Sequence, residues 1–195
     1  MPKFLERHRL LHKFVDYILE LIQVVVISLA IILPVRYFLI QPFYVKGASM
    51  EPTFLDQEYL IIDELTYRFR NPERGEVVVF RYPNDPKQFF IKRVIALPGE
   101  KVKILGGKVL VYTTSQSDGF ALDEPYLASG LYTSGERSFE LGENEYFVLG
   151  DNRNSSLDSR IFGTLPRQMI VGRVWLRGWP LDRLAVFEKP VYNSN

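Results

Sequence analysis

From Leu21 to Val35 the chain carries no charged residue, and only Gln23 and Ser28 bring polar side chains into the run. Fifteen helical residues span about 22 Å, short of a hydrocarbon core of about 30 Å. Extension to Tyr17 and Ile40 closes the gap, with Glu20 and Arg36 near the interfaces, where an arginine stem can snorkel. Pro34 falls late in the run, where a kink is tolerable. A buried core helix would be amphipathic, whereas this run is apolar on nearly all sides. Ser28-Leu29-Ala30 has the small residues of a cleavage site, but Ile31, Ile32 and Leu33 follow it inside the apolar run, so cleavage there is not expected. The reading is one transmembrane anchor over 17–40.

Flanking charge sets its direction. Residues 1–16 hold Lys3, Arg7, Arg9, Lys13, His8 and His12 against Glu6 and Asp16, while Arg36 and Lys46 are the only basic residues soon after the span. The positive-inside rule places residues 1–16 in the cytoplasm and 41–190 outside, in a single-pass plasma-membrane protein.

Composition narrows the chemistry left to that outer part. There is no cysteine, which removes disulfides, thiol catalysis and thiolate metal sites. His8 and His12 lack a third ligand and stand before the anchor, so neither a metal nor another cofactor is expected. A net charge of +1, from 24 basic and 23 acidic residues, speaks against a nucleic-acid binder. Outside catalysis must then use serine, threonine, lysine, tyrosine or carboxylates.

After the anchor, short runs rich in β-branched and aromatic residues alternate with Gly, Pro, Asn and Asp. Expected strands are Tyr44–Lys46, Tyr59–Asp63, Glu76–Tyr82, Phe89–Leu97, Lys101–Leu105, Lys108–Tyr112, Glu145–Leu149 and Val171–Gly178. Leu105-Gly106-Gly107-Lys108 signals a hairpin and Pro83-Asn84-Asp85-Pro86 a turn. The fold class is mainly β, an antiparallel folded sheet or barrel-like domain behind one N-terminal helix. Thr113 to Glu136 reads as a surface loop or mobile hairpin, and the tail 191–195 as loose.

Three segments carry candidate chemistry. In Gly47-Ala48-Ser49-Met50-Glu51-Pro52-Thr53, small residues ahead of Ser49 admit close backbone approach and Pro52 fixes the chain after it, although a serine in a turn is usually only a turn residue. In Phe89–Ile95, strand alternation puts Phe90, Lys92 and Val94 on one face and Ile91, Arg93 and Ile95 on the other, so whichever face is inward buries a cation. Burial lowers a lysine pKa, and a neutral lysine is a general base that replaces histidine; the plain alternative is an edge strand whose Lys92 reaches water. The loop Gly150 to Arg160 leaves an expected strand with more hydrogen-bonding side chains than a turn needs, and Asp158 can pair with Arg160 to hold it rigid, presenting Ser155 or Ser156 to a neighbour.

Together these blocks resemble the bacterial type I signal peptidases, membrane-bound Ser–Lys endopeptidases. The matching blocks, in the family's order, are Ala48–Thr53, Arg74–Phe80, Ile91–Glu100 and Gly150–Arg153 through Asp158–Arg160, and the likeness covers residues 15–180. The resemblance implies Ser49 as nucleophile, Lys92 as general base, and Ser156 as the serine that bonds and orients the amine. It implies Asp158 and Arg160 as a supporting ion pair, and Gly150 and Asp151 as the opening of the loop. Phe43, Val45, Met50, Phe90 and Ile91 would line shallow pockets for small residues at −3 and −1 of an extended signal peptide. The Ser49 N–H would be one oxyanion donor. Gly47 stands where many relatives carry a serine whose hydroxyl is the second donor, and Asn154 where an acidic residue is common. The extra β-domain of some relatives would shrink to a hairpin insertion around 101–140.

Implied partners are signal peptides of secreted precursors, the lipid bilayer and the protein-export machinery. From Ile40 to Ser49 the chain reaches at most about 30 Å, which holds the serine near the membrane, and Trp175, Trp179 and Phe162 are candidates for an apolar rim. Two rival readings compete with this one. A self-cleaving repressor-type peptidase would need a DNA-binding module that this chain lacks. An anchored, non-catalytic β-domain adaptor leaves the combination of Ser49, Lys92 and the 156–160 loop without a purpose.

Overall fold

Residues Val77 to Phe80 point alternately into two apolar layers. Val77 and Val79 pack with Val45, Met50, Phe54, Leu60, Ile62 and Val174. Val78 and Phe80 pack with Tyr67, Val94, Tyr146, Val148 and Leu165. A strand apolar on both faces needs cover on both, and this double layer organises the folded part of the chain.

The computed structural model describes residues 2–38, 40–128, 130–190 and 192, with side chains described at 13–33 and from 42 onward. The chain divides into two compact units, Met1–Ile40 and Gln41–Asn195. The first is a single helix, α1 (Pro2–Phe38). Its stretch Lys13–Leu33 is long and apolar enough to cross a membrane, and none of it is buried inside the protein. A core-helix reading therefore fails, because no protein covers these side chains. The helix ends earlier than the expected span: Ile40 already begins a strand. His8, His12 and Arg36 have side chains outside the described residues.

Twelve strands follow among the described residues: β1 (Ile40–Tyr44), β2 (Tyr59–Asp63), β3 (Val77–Tyr82), β4 (Asp85–Ala96), β5 (Lys101–Leu105), β6 (Lys108–Tyr112), β7 (Phe120–Ala121), β8 (Arg137–Glu140), β9 (Glu145–Leu149), β10 (Leu165–Pro166), β11 (Ile170–Trp179) and β12 (Ala185–Val186). Eight make the main sheet, in the order β1-β2-β11-β3-β4-β9-β10, with β12 beside β11. The pairings among β2, β3, β4, β9, β10, β11 and β12 are antiparallel. The sheet is open, running from β1 at one edge to β10 at the other, so the barrel-like alternative does not close.

The insertion is larger than a hairpin. Strands β5 and β6 form the expected pair, but β8 and β7 flank them to give a second, four-stranded sheet in the order β7-β6-β5-β8. Val102, Ile104, Val109 and Val111 of this sheet pack on Ile95, Phe147 and Leu149 of the main sheet. Tyr192, from the tail read as loose, packs against the same layer; the rest of 191–195 lies outside the described residues.

Candidate active site

The segment after β1 keeps pairing with the chain before β2: the Val45 N–H donates to the Glu58 carbonyl at 2.8 Å, and the Gln57 N–H to the Val45 carbonyl at 3.0 Å. Gly47 then turns the chain with φ of +90°, which glycine adopts without steric cost, and its N–H donates to Asp56 Oδ1 at 2.6 Å. Met50 and Phe54, both fully buried, fix the far side of the turn. Ser49 is thereby held at the rim of the core, and its N–H has no acceptor among the described residues.

Strand β4 brings Lys92 to it. The amine lies 2.7 Å from Ser49 Oγ and 2.7 Å from the Ile91 carbonyl. Lys92 is only 3% exposed, and among the described residues no carboxylate stands within ion-pair distance of it. Burial drives its pKa down from 10.5 to about 8, with Asp158 and Asp151 at longer range partly opposing the shift.

Its neighbour Arg93 is buried as well, so both faces of β4 carry a cation inward. Arg93 is compensated: Nε and Nη2 bind the two oxygens of Asp151 at 2.8 and 2.5 Å, and Nη1 donates to the Gly75 carbonyl. One cation is paired and the other is left bare, which separates a structural role from a chemical one.

The loop after β9 closes the site from behind. The Asn152 N–H donates to the Ser49 carbonyl at 3.1 Å and its Nδ2 to the Ala48 carbonyl at 3.0 Å. Asp151 also accepts the Thr53 hydroxyl at 2.6 Å. A Cβ on Gly150 would collide with the Ser49 carbonyl and the Ser156 hydroxyl, so only glycine fits there. Asp158, with no exposed surface, takes the Gly150 N–H, the Arg160 N–H and the Arg160 guanidinium, and caps the short helix α2 (Ser159–Phe162). Asp158 and Arg160 form an ion pair at 2.8 Å.

Ser156 differs from what the resemblance implied. The bonds of the Lys92 amine go to Ser49 and Ile91, and the Ser156 hydroxyl is buried against Gly150 without a hydrogen-bond partner among the described residues.

A groove of about 390 Å³ ends at the serine and lysine. Phe43, Val45, Phe90 and Ile91 line it, and Leu60, Val79 and Leu157 add to its apolar wall. Met50 does not line it; it lies one layer deeper, in the core beside Val45. Strand β1 is the sheet's edge, and β4 pairs with β9 only from Arg93 onward, so residues 85–92 keep one backbone edge unpaired. Of the three rim candidates, Trp179 and Trp175 are exposed, whereas Phe162 packs on Phe80 and Tyr82.

Residues 18–179 match the family described as signal peptidase, peptidase S26. The chain belongs to this family. It is 40% identical over 175 residues to a probable signal peptidase I-2 of a Synechocystis strain, covering 86% of this chain and 76% of that protein. Signal peptidase I of Leptolyngbya laminosa is 37% identical, over 89% of this chain and 85% of the relative. Signal peptidase IB of Staphylococcus aureus MRSA252 is 33% identical, over 91% and 98%. A crystal structure of a signal peptidase I from Enterococcus faecalis is 27% identical with a TM-score of 0.45, over 54% of this chain and 97% of that one.

Sequence reasoning missed Leu60, Val79 and Leu157 in the groove, because each reads as an ordinary core or loop residue until the sheet is folded. It also missed Glu124, which reaches Arg153 of the loop after β9 from the insertion, and Tyr126, whose ring lies against Arg93 of β4.

Proposed function

We propose that this peptidase is anchored by α1 and removes signal peptides from exported precursors, cutting after small residues at −3 and −1, with Ser49 as nucleophile and Lys92 as general base. The observation that carries the proposal is a buried amine without a carboxylate partner, 2.7 Å from one hydroxyl. A non-catalytic β-domain has no use for such an amine. At a pKa of about 8, about one molecule in ten holds Lys92 neutral at pH 7, against about one in three thousand at the unshifted value.

When the amine is neutral the hydrogen bond reverses, and the Ser49 hydroxyl donates to Nζ. As Oγ attacks the scissile carbonyl, its proton passes to Lys92. The negative charge that develops on the carbonyl oxygen meets the free Ser49 N–H, a donor aimed at a transition state rather than at the protein. Gly47 brings no hydroxyl to that oxygen, so the backbone carries this task. Collapse breaks the C–N bond, and the lysine ammonium returns its proton to the departing amine. Water then attacks the acyl-enzyme, giving one proton to Lys92, and Ser49 leaves with that proton restored.

The substrate enters as an added strand between the unpaired edges of β1 and β4, read mainly through its backbone. Shallow apolar walls of Phe43, Val45, Phe90 and Ile91 accept small side chains and exclude large ones. Asp158 and Arg160 hold the loop behind the serine, with Asp151 and Gly150 at its opening. We place residues 1–16 in the cytoplasm, the anchor within 17–40 and the catalytic domain (41–190) outside the plasma membrane, where the export machinery delivers precursors.

Cleavage of a preprotein by the purified full chain in detergent tests this. Ser49→Ala and Lys92→Ala are expected to lose essentially all turnover with unchanged circular dichroism; near-normal turnover by Lys92→Ala would falsify the assignment.

A further inference from the structure

The segment between β7 and β8 lies within Thr113–Glu136, whose composition suggests a surface loop or mobile hairpin, yet it sends three side chains to the buried arginines behind the active site. Glu124 binds Arg153 with both carboxylate oxygens, at 2.9 Å to Nη1 and more closely to Nη2, and Thr133 of the same segment accepts a further Nη1 bond. Arg153 is itself completely buried, and its Nε donates to the Gly150 carbonyl at 3.1 Å. A guanidinium gripped at both terminal nitrogens has a fixed plane, so the Gly150 carbonyl is fixed with it. Gly150 in turn packs directly on the Ser49 carbonyl.

Tyr126 opens a second route. Its hydroxyl donates to Glu124 Oε1 at 2.8 Å, and the Arg93 guanidinium carbon lies 3.9 Å from its ring centroid, a cation–π contact. Arg93 holds Asp151, and Asp151 holds the Thr53 hydroxyl four residues after the nucleophile. The two routes leave one loop and end at the Ser49 carbonyl and at Thr53.

We propose that Glu124 and Tyr126 are positioning residues: acting through Arg153 and Arg93, they fix the catalytic loop against the nucleophile turn and set the Ser49–Lys92 geometry. This rests on the function assigned above. Neither residue touches the groove, so their effect falls on turnover and not on substrate affinity. A purely structural tie would instead lower the amount of folded enzyme and leave each folded molecule normal.

The test uses the full chain in detergent and a preprotein with alanine at −3 and −1, with kcat, KM and the pH profile of kcat/KM measured separately. Tyr126→Leu removes a ring and a hydroxyl but no charge, so it is the variant best suited to remain folded while loosening Arg93. Tyr126→Leu and Glu124→Gln are expected to lower kcat about 10- to 100-fold, the scale of an ångström-level misplacement, with KM little changed. Tyr126→Phe, which keeps the ring over Arg93, recovers most of that loss. An Arg93 that drifts from Asp151 leaves the carboxylate freer to attract the Lys92 ammonium, so the acid limb of Tyr126→Leu moves to higher pH.

Wild-type turnover per folded molecule in both Tyr126→Leu and Glu124→Gln, with the acid limb unmoved, overturns the proposal. A Tyr126→Phe enzyme as impaired as Tyr126→Leu does so too, because the ring would then not be what matters. A Lys92→Ala control that still cleaves overturns the underlying function instead.

Discussion

Lys92 and Arg93 are adjacent in β4 and almost equally buried, yet the fold treats them differently. Arg93 keeps its charge because Asp151 meets it with two bonds. Lys92 has only a hydroxyl and a carbonyl, so burial acts on its proton. The folded chain releases that proton near pH 8 and the unfolded chain near 10.5. Between those values the unfolded state binds more protons, and stability rises with pH; below about 8, keeping the ammonium buried costs the fold about 3 kcal/mol. Lys92→Met, of similar length and without charge, is therefore expected to be inactive yet more stable than the wild type at pH 7 by about 1–3 kcal/mol, allowing for the lost hydrogen bonds. That margin shrinks as pH rises from 8 to 10.5. Urea melts at pH 7 and pH 10 check this, and a variant destabilised equally at both would show that the amine carries no burial cost. With Lys92 as the proposed general base, kcat/KM should climb about tenfold per pH unit up to about 8 and then level off.

The loop from Gly150 to Arg160 and the turn around Ser49 act as one unit, joined by Asn152, Asp151 and the bare face of Gly150. Gly150→Ala pushes a methyl into the Ser49 carbonyl, so we expect a loss of about 100-fold or more in kcat in a protein that still folds; an active Gly150→Ala enzyme would show that the loop yields freely. Much of this was legible in the residues. Strands β2, β5, β6 and β9 have the expected bounds: the first three keep one apolar face on a core layer, and β9 buries both of its faces. Strands β7, β10 and β12 are two residues each, too short to carry a period, and β8 has no buried side chain. Strand β1 contains Pro42 at a sheet edge, where proline is tolerated but hides the strand from propensity. The pairing of Asp158 with Arg160 followed from two residues' separation, whereas Glu124 meets Arg153 across 29 positions and left no local trace. The place of Met50 in the core could be told only once Phe54 and Leu60 were seen to surround it.

Across the whole molecule, the apolar helix and the peptidase domain impose separate demands. The 21-residue stretch of α1 has no protein cover, and lipid is the environment that meets its need. A cysteine-free chain makes its direction simple to test. Glu6→Cys should resist a membrane-impermeant maleimide in intact cells, and Asp118→Cys, on an exposed loop, should react; the reverse pattern would invert the topology. Helix and main sheet are also consecutive, since α1 ends at Phe38 and β1 starts at Ile40. Anyone trimming the anchor to obtain a soluble fragment therefore has almost no margin. A fragment that starts at Ile40 retains β1 and should still cut a short peptide. One that starts at Lys46 forfeits Phe43 and Val45, along with the edge against which the peptide would align, and should cut none.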